Sequence, residues 1–105
     1  MSDAEFKAAG NKALAAKQYG EAIENYTKAI DLNDSDHTFF GNRSMAYLYN
    51  GEPEKAISDA DECIKIKGDW AKGYIKKAQA FQKMGDFDSA TKVREIKGLE
   101  LSDFS

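Results

Sequence analysis

The chain has little of what staples small domains together. Its 105 residues include one cysteine, one histidine and one proline. A lone Cys63 cannot close an internal disulfide, which fits a reducing compartment and an inert thiol at a small core position. A lone His37, beside Asp34, Ser35 and Asp36, lacks the further ligands at fixed spacing that a zinc site needs. It reads as a turn or cap residue, and no metal or cofactor is expected. No apolar run approaches the ~20 residues that span a bilayer, so no membrane segment is expected. The opening Met1-Ser2-Asp3-Ala4-Glu5 has neither the basic region nor the apolar stretch of a signal peptide. It reads as a natural N-terminus, and cytoplasm is the simplest address. Basic residues are not in excess: 15 Lys and Arg stand against 18 Asp and Glu, a net charge of −3. That argues against nucleic acid as a partner.

What the chain does have is a period. Ala22, Ala56 and Ala90 stand 34 residues apart. Gly10, Ser44 and Ala78 keep the same spacing, as do Tyr19, Pro53 and Phe87, then Lys17, Gly51 and Gly85. In the second and fourth helices, apolar residues recur at helical spacing: Ala22, Ile23, Tyr26, Ala29, Ile30 and Leu32, then Ala56, Ile57, Ala60, Cys63, Ile64 and Ile66. The pattern predicts helices over 3–16, 19–32, 37–50, 53–66, 71–84 and 87–100. Ser2 and Glu5 suit a capping box, and Pro53 suits a first helical turn. Gly51 and Gly85 suit tight turns inside the second and third units.

A 34-residue unit of two helices is the tetratricopeptide signature. The expected fold is therefore all-α: three helix–turn–helix repeats, about 3–36, 37–70 and 71–104, in one domain over 1–105. Such repeats stack into a right-handed superhelix with a concave peptide groove. Gly10, Ser44 and Ala78 on the first helices should face Ala22, Ala56 and Ala90 on the second ones. Trp70, Tyr74 and Phe81 read as packing between repeats. The third unit slips late, because Lys97 and Gly98 stand where a small and an apolar residue are due. A one-residue insertion absorbed by a π-bulge accounts for that, and different packing or fraying of the last helix is the alternative. No polar cap follows, so weak self-association through 87–105 is expected.

Three lines of residues share the groove side of the first helices: Lys7 and Asn11; Thr38, Asn42, Met45 and Tyr49; Lys72, Lys76, Gln79 and Lys83. Lysines four apart oppose one another by a few tenths of a kcal/mol, which an anionic ligand would relieve. Asparagine is a poor helix-interior residue, yet its amide can donate to a carboxylate and accept from a backbone N–H. No nucleophile–base–orienter set and no glycine-rich phosphate loop stands in the sequence, so binding rather than catalysis is expected.

The strings Lys7-Ala8-Ala9-Gly10-Asn11, Asn42-Arg43-Ser44 and Lys72-Gly73-Tyr74-Ile75-Lys76 resemble the dicarboxylate-clamp class of tetratricopeptide domains. That class occurs in heat-shock organising co-chaperones, in chaperone-binding immunophilins and in a related serine/threonine phosphatase. The resemblance covers about the whole chain and is nearest to the N-terminal domain of the organising co-chaperones. It implies a partner, the acidic Glu-Glu-Val-Asp C-terminal tail of heat-shock protein 70 or 90. It also implies the clamp residues Lys7, Asn11, Asn42, Lys72 and Lys76, with Leu14, Thr38, Met45 and Gln79 shaping pockets for the upstream residues. The fifth clamp position, more often Arg in that class, is Lys76, a point charge in place of a planar fork. Two other readings stand beside this one. One is a scaffold or adaptor for a non-chaperone partner. The other is a targeting domain excised from a phosphatase or prolyl isomerase.

Overall fold

The computed structural model describes residues 1–97, and all of its regular elements there are helices. They are α1 (Asp3–Ala15), α2 (Tyr19–Leu32), α3 (His37–Tyr49), α4 (Pro53–Ile66), α5 (Ala71–Lys83) and α6 (Phe87–Lys97). The ends of α1 to α5 fall within a residue of expectation. The expected π-bulge at Gly98 and the far part of the self-association segment lie outside the described residues. Each helix packs on the next, and the first helices also touch one another, α1 on α3 and α3 on α5. The first helices therefore form one continuous layer, and that layer carries the groove.

The helix starts follow the sequence signals. Ser2 Oγ accepts from the Glu5 N–H at 3.1 Å, and the Ser2 N–H donates to Glu5 Oε1 at 3.1 Å, which completes the capping box. Asp36 caps α3 by accepting from the Thr38 N–H. Pro53 opens α4.

The turns inside the three repeats share one geometry. The Gln18 N–H bonds to the Ala13 carbonyl, the Glu52 N–H to Tyr47 and the Asp86 N–H to Phe81, each at 2.9 Å. This is the six-to-one bond of a Schellman cap, which requires a left-handed residue just before the donor. Gly51 and Gly85 supply it at φ 80° and 82°. The first repeat has Lys17 there instead, at φ 61°. A side chain in that region costs roughly 1 kcal/mol.

Packing inside each repeat depends on short side chains. A Cβ added at Gly10 would lie 2.5 Å from the Tyr26 ring, so the ring rests on bare backbone. Ser44 is buried and its hydroxyl donates to the Ala56 carbonyl at 2.6 Å. Ala78 packs with Ala90 and Val93, with Tyr74 and Phe81 alongside. Volumes compensate across the pair: glycine meets tyrosine in the first repeat, whereas the residue 34 beyond Tyr26 is Ala60.

Between repeats a polar contact recurs. Arg43 on α3 reaches back sixteen residues to the Thr27 hydroxyl on α2 at 3.1 Å, and Lys77 on α5 reaches Asp61 on α4 at 2.7 Å. Arg43 also forms a bidentate pair with buried Asp59, at 2.7 and 2.8 Å. Burial works against the Arg43 charge, but the hydrogen bonds and charge of Asp59 outweigh it and raise its pKa. Trp70, the N-cap residue of α5, lies against Gly41 and meets His37 edge-on at 4.7 Å, which ties the start of α5 to α3. His37 thus packs, while the cap itself is Asp36.

The turn geometry makes a prediction. Lys17→Gly should raise stability and Gly51→Lys should lower it, each by about 1 kcal/mol, in urea unfolding followed by circular dichroism. Equal midpoints for the two variants would contradict the account.

Candidate peptide-binding groove

The expected clamp residues come from three helices, and the structure relates them in a chain. Lys7 on α1 is half-buried, its ammonium 5.9 Å from the centroid of the Phe39 ring. Its charge also reaches Asp36. Burial pushes that carboxyl up, but bonds from Thr38, with the Lys7 and His37 charges, outweigh it and hold Asp36 below the ordinary range.

One turn further along α1, Asn11 meets α3. Asn42 Nδ2 donates to Asn11 Oδ1 at 3.1 Å, and the buried Tyr26 hydroxyl donates to the same oxygen at 2.6 Å. Next to Asn42, Gly41 leaves room for Lys76, whose Cε would stand 3.5 Å from a Cβ added there. Lys72 lies one turn before Lys76 on α5 and is exposed.

Lys76 is a buried cation. It is 8% exposed. Burial lowers its pKa, and the neighbouring Lys72 charge lowers it further. Lys28, Lys55, Lys67 and Lys77 all have carboxylate partners. Lys7, Lys72 and Lys76 form no ion pair among the described residues. A buried cation without a counter-charge destabilises a fold, and a bound carboxylate would supply what is missing.

The expected pocket residues divide. Met45 and Gln79 are half-buried on the first-helix layer, three residues beyond Asn42 and Lys76. Gln79 lines a cavity of about 560 Å³ with Leu48, Tyr49, Gly51, Gln82 and Lys83. Leu14 is half-buried and packs on the cluster of Ala13, Ala22, Tyr26 and Ala46, so it serves the core as well as the groove. The Thr38 hydroxyl donates to Asp36 at 2.6 Å and is committed to the cap. Tyr49 is 58% exposed at the end of α3, its ring 5.6 Å from that of Tyr19. Cys63 is buried, and that burial pushes its thiol up to about 11.

Sequence reasoning missed Tyr26 as a partner of Asn11, and it missed the Arg43–Asp59 pair. Tyr26 lies on the apolar face of α2, so periodicity reads it as core, and its hydroxyl leaves no trace in the pattern. Arg43 and Asp59 are sixteen residues apart across a turn, a separation that helical periodicity does not relate.

The arrangement presents donors and cations converging on one concave face, with an apolar-walled cavity further along it. Such a face suits an extended chain that ends in carboxylates. Among the described residues no group of His, Cys, Asp and Glu could hold a metal ion, and no helix is long and apolar enough to cross a membrane.

Comparison with known proteins follows the same lines. The family described as "Serine/threonine-protein kinase BSK1-like, TPR repeats" matches residues 1–80. Heat shock protein STI1 of Saccharomyces cerevisiae is 41% identical over 98 residues, which is 92% of this chain and 16% of that protein. Two solved structures carry peptides in their titles. The second TPR of Spaghetti (RPAP3) bound to the HSP90 peptide SRMEEVD superposes with a TM-score of 0.86 at 27% identity, covering 94% of this chain and 92% of that one. The second TPR domain of human RPAP3 in complex with the HSP70 peptide SGPTIEEVD gives 0.82 at 28% identity, covering 88% and 77%. The chain spans about one sixth of the length of STI1 and of its homologues in Dictyostelium discoideum and Schizosaccharomyces pombe, 16 to 17%. Relatives at lower identity include a U-box protein and a ubiquitin ligase.

The strained lysine makes a prediction. Lys76→Met should stabilise the unbound protein by about 1 kcal/mol, because an apolar side chain of similar length replaces an unpaired buried charge. The pKa of Lys76 is lowered in the fold by burial and then by Lys72, so its penalty is present in full below the folded pKa and is lost as pH rises from there through the ordinary lysine range. Thermal melts of both proteins at pH 7 and pH 10 check this, and a less stable variant at pH 7 would contradict it.

Proposed function

The chain belongs to the tetratricopeptide repeat family, in the group described as serine/threonine-protein kinase BSK1-like TPR repeats, and on that premise we propose that its groove holds the acidic C-terminal tail of heat-shock protein 70 or 90. The observation that carries this reading is the set Lys7, Asn11, Asn42, Lys72 and Lys76. Its cations form no close ion pair among the described residues, and one of them, Lys76, is buried in that state. Structural relatives bound to peptides ending in Glu-Glu-Val-Asp support the choice of ligand. So does the kinship with STI1.

The binding chemistry follows from the donors. A terminal aspartate offers two carboxylates, one from its side chain and one from the main chain. Lys7, Asn11 and Asn42 serve one set of oxygens, while Lys72 and Lys76 serve the other. Met45 and Gln79 contact the residues upstream, with Leu14 at the edge and Thr38 holding the start of α3. Each charge-assisted bond in a wet groove is worth roughly 1 kcal/mol or less, so the sum lies near micromolar affinity, about −8 kcal/mol. That strength suits reversible capture in the cytoplasm by a binding module of a co-chaperone.

One second reading has an observation behind it. The matching family description names a kinase, and relatives at lower identity include a ubiquitin ligase. The same groove then acts as the docking module of an enzyme. The chain itself binds in either case.

Calorimetry with a short peptide ending in Glu-Glu-Val-Asp tests the proposal. The peptide with a free C-terminus should bind near micromolar, and its C-terminal amide should lose most of that affinity. Equal binding of the two would overturn the clamp. Lys7→Ala and Lys72→Ala should each weaken binding about fivefold and reduce its salt dependence.

A further inference from the structure

We infer that Tyr26, a residue no peptide can touch, sets the polarity of the clamp by fixing which end of the Asn11 amide faces the ligand. The inference rests on the groove reading above and deepens it. Tyr26 is wholly buried, and its ring lies on Gly10, so the phenol has one position available to it. Its hydroxyl stands 2.6 Å from Asn11 Oδ1.

A buried hydroxyl hydrogen needs an acceptor, and leaving one without a partner is unfavourable. Asn11 Oδ1 is the acceptor that the structure provides. Were the amide flipped, its N–H groups would face the phenol, and the phenol hydrogen would lose that partner. Burial pushes the Tyr26 pKa up to about 12, so the phenol stays a donor throughout the physiological range.

The consequence is carried outward. With Oδ1 held by Tyr26, Asn42 donates to the same oxygen at 3.1 Å. A carbonyl oxygen has two lone pairs, and both are now engaged. Asn11 therefore offers only N–H groups to the groove. Together with Lys7, Lys72 and Lys76, it turns donors toward the ligand, which favours a carboxylate over a group that must itself donate at Asn11. A carboxamide end is such a group. Tyr26 is thus a positioning residue for specificity, acting through Asn11.

Tyr26→Phe keeps the ring and removes the hydroxyl. We expect it to fold, to bind the free-ended Glu-Glu-Val-Asp peptide roughly tenfold more weakly, and to discriminate less against the amidated peptide. In an Asn11→Ala background, Tyr26→Phe should change affinity no further. Equal binding by wild type and Tyr26→Phe, or an undiminished loss in the Asn11→Ala background, would overturn the inference. Side-chain ¹⁵N relaxation of Asn11 in the unbound protein gives a readout that does not depend on binding. The amide should be ordered in wild type and in Asn42→Ala, and mobile in Tyr26→Phe. Mobility in Asn42→Ala would mean that Asn42, and not Tyr26, holds it, which also overturns the inference. Should wild type itself fail to bind the free-ended peptide, the groove reading falls and this inference with it. That failure is told apart because it appears before any substitution is made.

Discussion

Everything in the first repeat turns on the contact between the Tyr26 ring and the bare backbone at Gly10. A methyl group at residue 10 would sit 2.5 Å from the ring, so α1 and α2 reach their close approach only because residue 10 has no side chain. That approach buries the ring and seats the hydroxyl at Asn11. The same contact serves as core packing on one side of α1 and as groove polarity on the other. Fold and site are not separable here, since a shift of the ring would move both.

The later repeats solve the same packing problem with different chemistry. Ser44 gains its close approach by bonding to the Ala56 carbonyl, and Ala78 does so by apolar contact with Ala90 and Val93. What repeats strictly is the geometry between them. Arg43 to Thr27 and Lys77 to Asp61 are equivalent contacts across successive interfaces, each spanning sixteen residues. They lock each first helix to the second helix before it, and so bring α1, α3 and α5 into one layer. Without that layer the clamp lysines and asparagines, which come from three separate helices, would not share a face.

Most of the architecture was legible in the sequence because it follows from period. The 34-residue spacing of Ala22, Ala56 and Ala90 identifies repeats, and helical spacing identifies their faces. The line of residues along the first-helix layer was legible for the same reason. Lys72 and Lys76 stand 34 residues after Thr38 and Asn42, and Gln79 stands 34 after Met45. What period cannot convey is the use of a single atom. Nothing in the pattern separates Tyr26 as a core ring from Tyr26 as a hydrogen-bond donor, or Thr38 as a groove residue from Thr38 as a partner of the Asp36 cap. Arg43 and Asp59 depend on how a turn folds two helices together, which is tertiary information.

Lys76 shows why a stable groove and a useful one differ. Its burial beside Gly41 and Lys72 opposes its charge, and the fold tolerates this without a carboxylate partner among the described residues. An arginine there would spread its charge over a planar fork, whereas the ammonium concentrates it at one point. A ligand carboxylate reaching Lys76 gains more than one reaching a solvated lysine, because the desolvation of the cation has already been met by folding. Part of the binding free energy is thereby stored in the unbound protein as reduced stability. The same logic applies to Asn11, whose oxygen is satisfied from within by Tyr26 and Asn42 so that its N–H groups remain for the ligand. At Asn11 the first-helix layer thus keeps an acceptor occupied and leaves donors free, an asymmetry that, on the groove reading proposed above, favours a chain that ends in carboxylates.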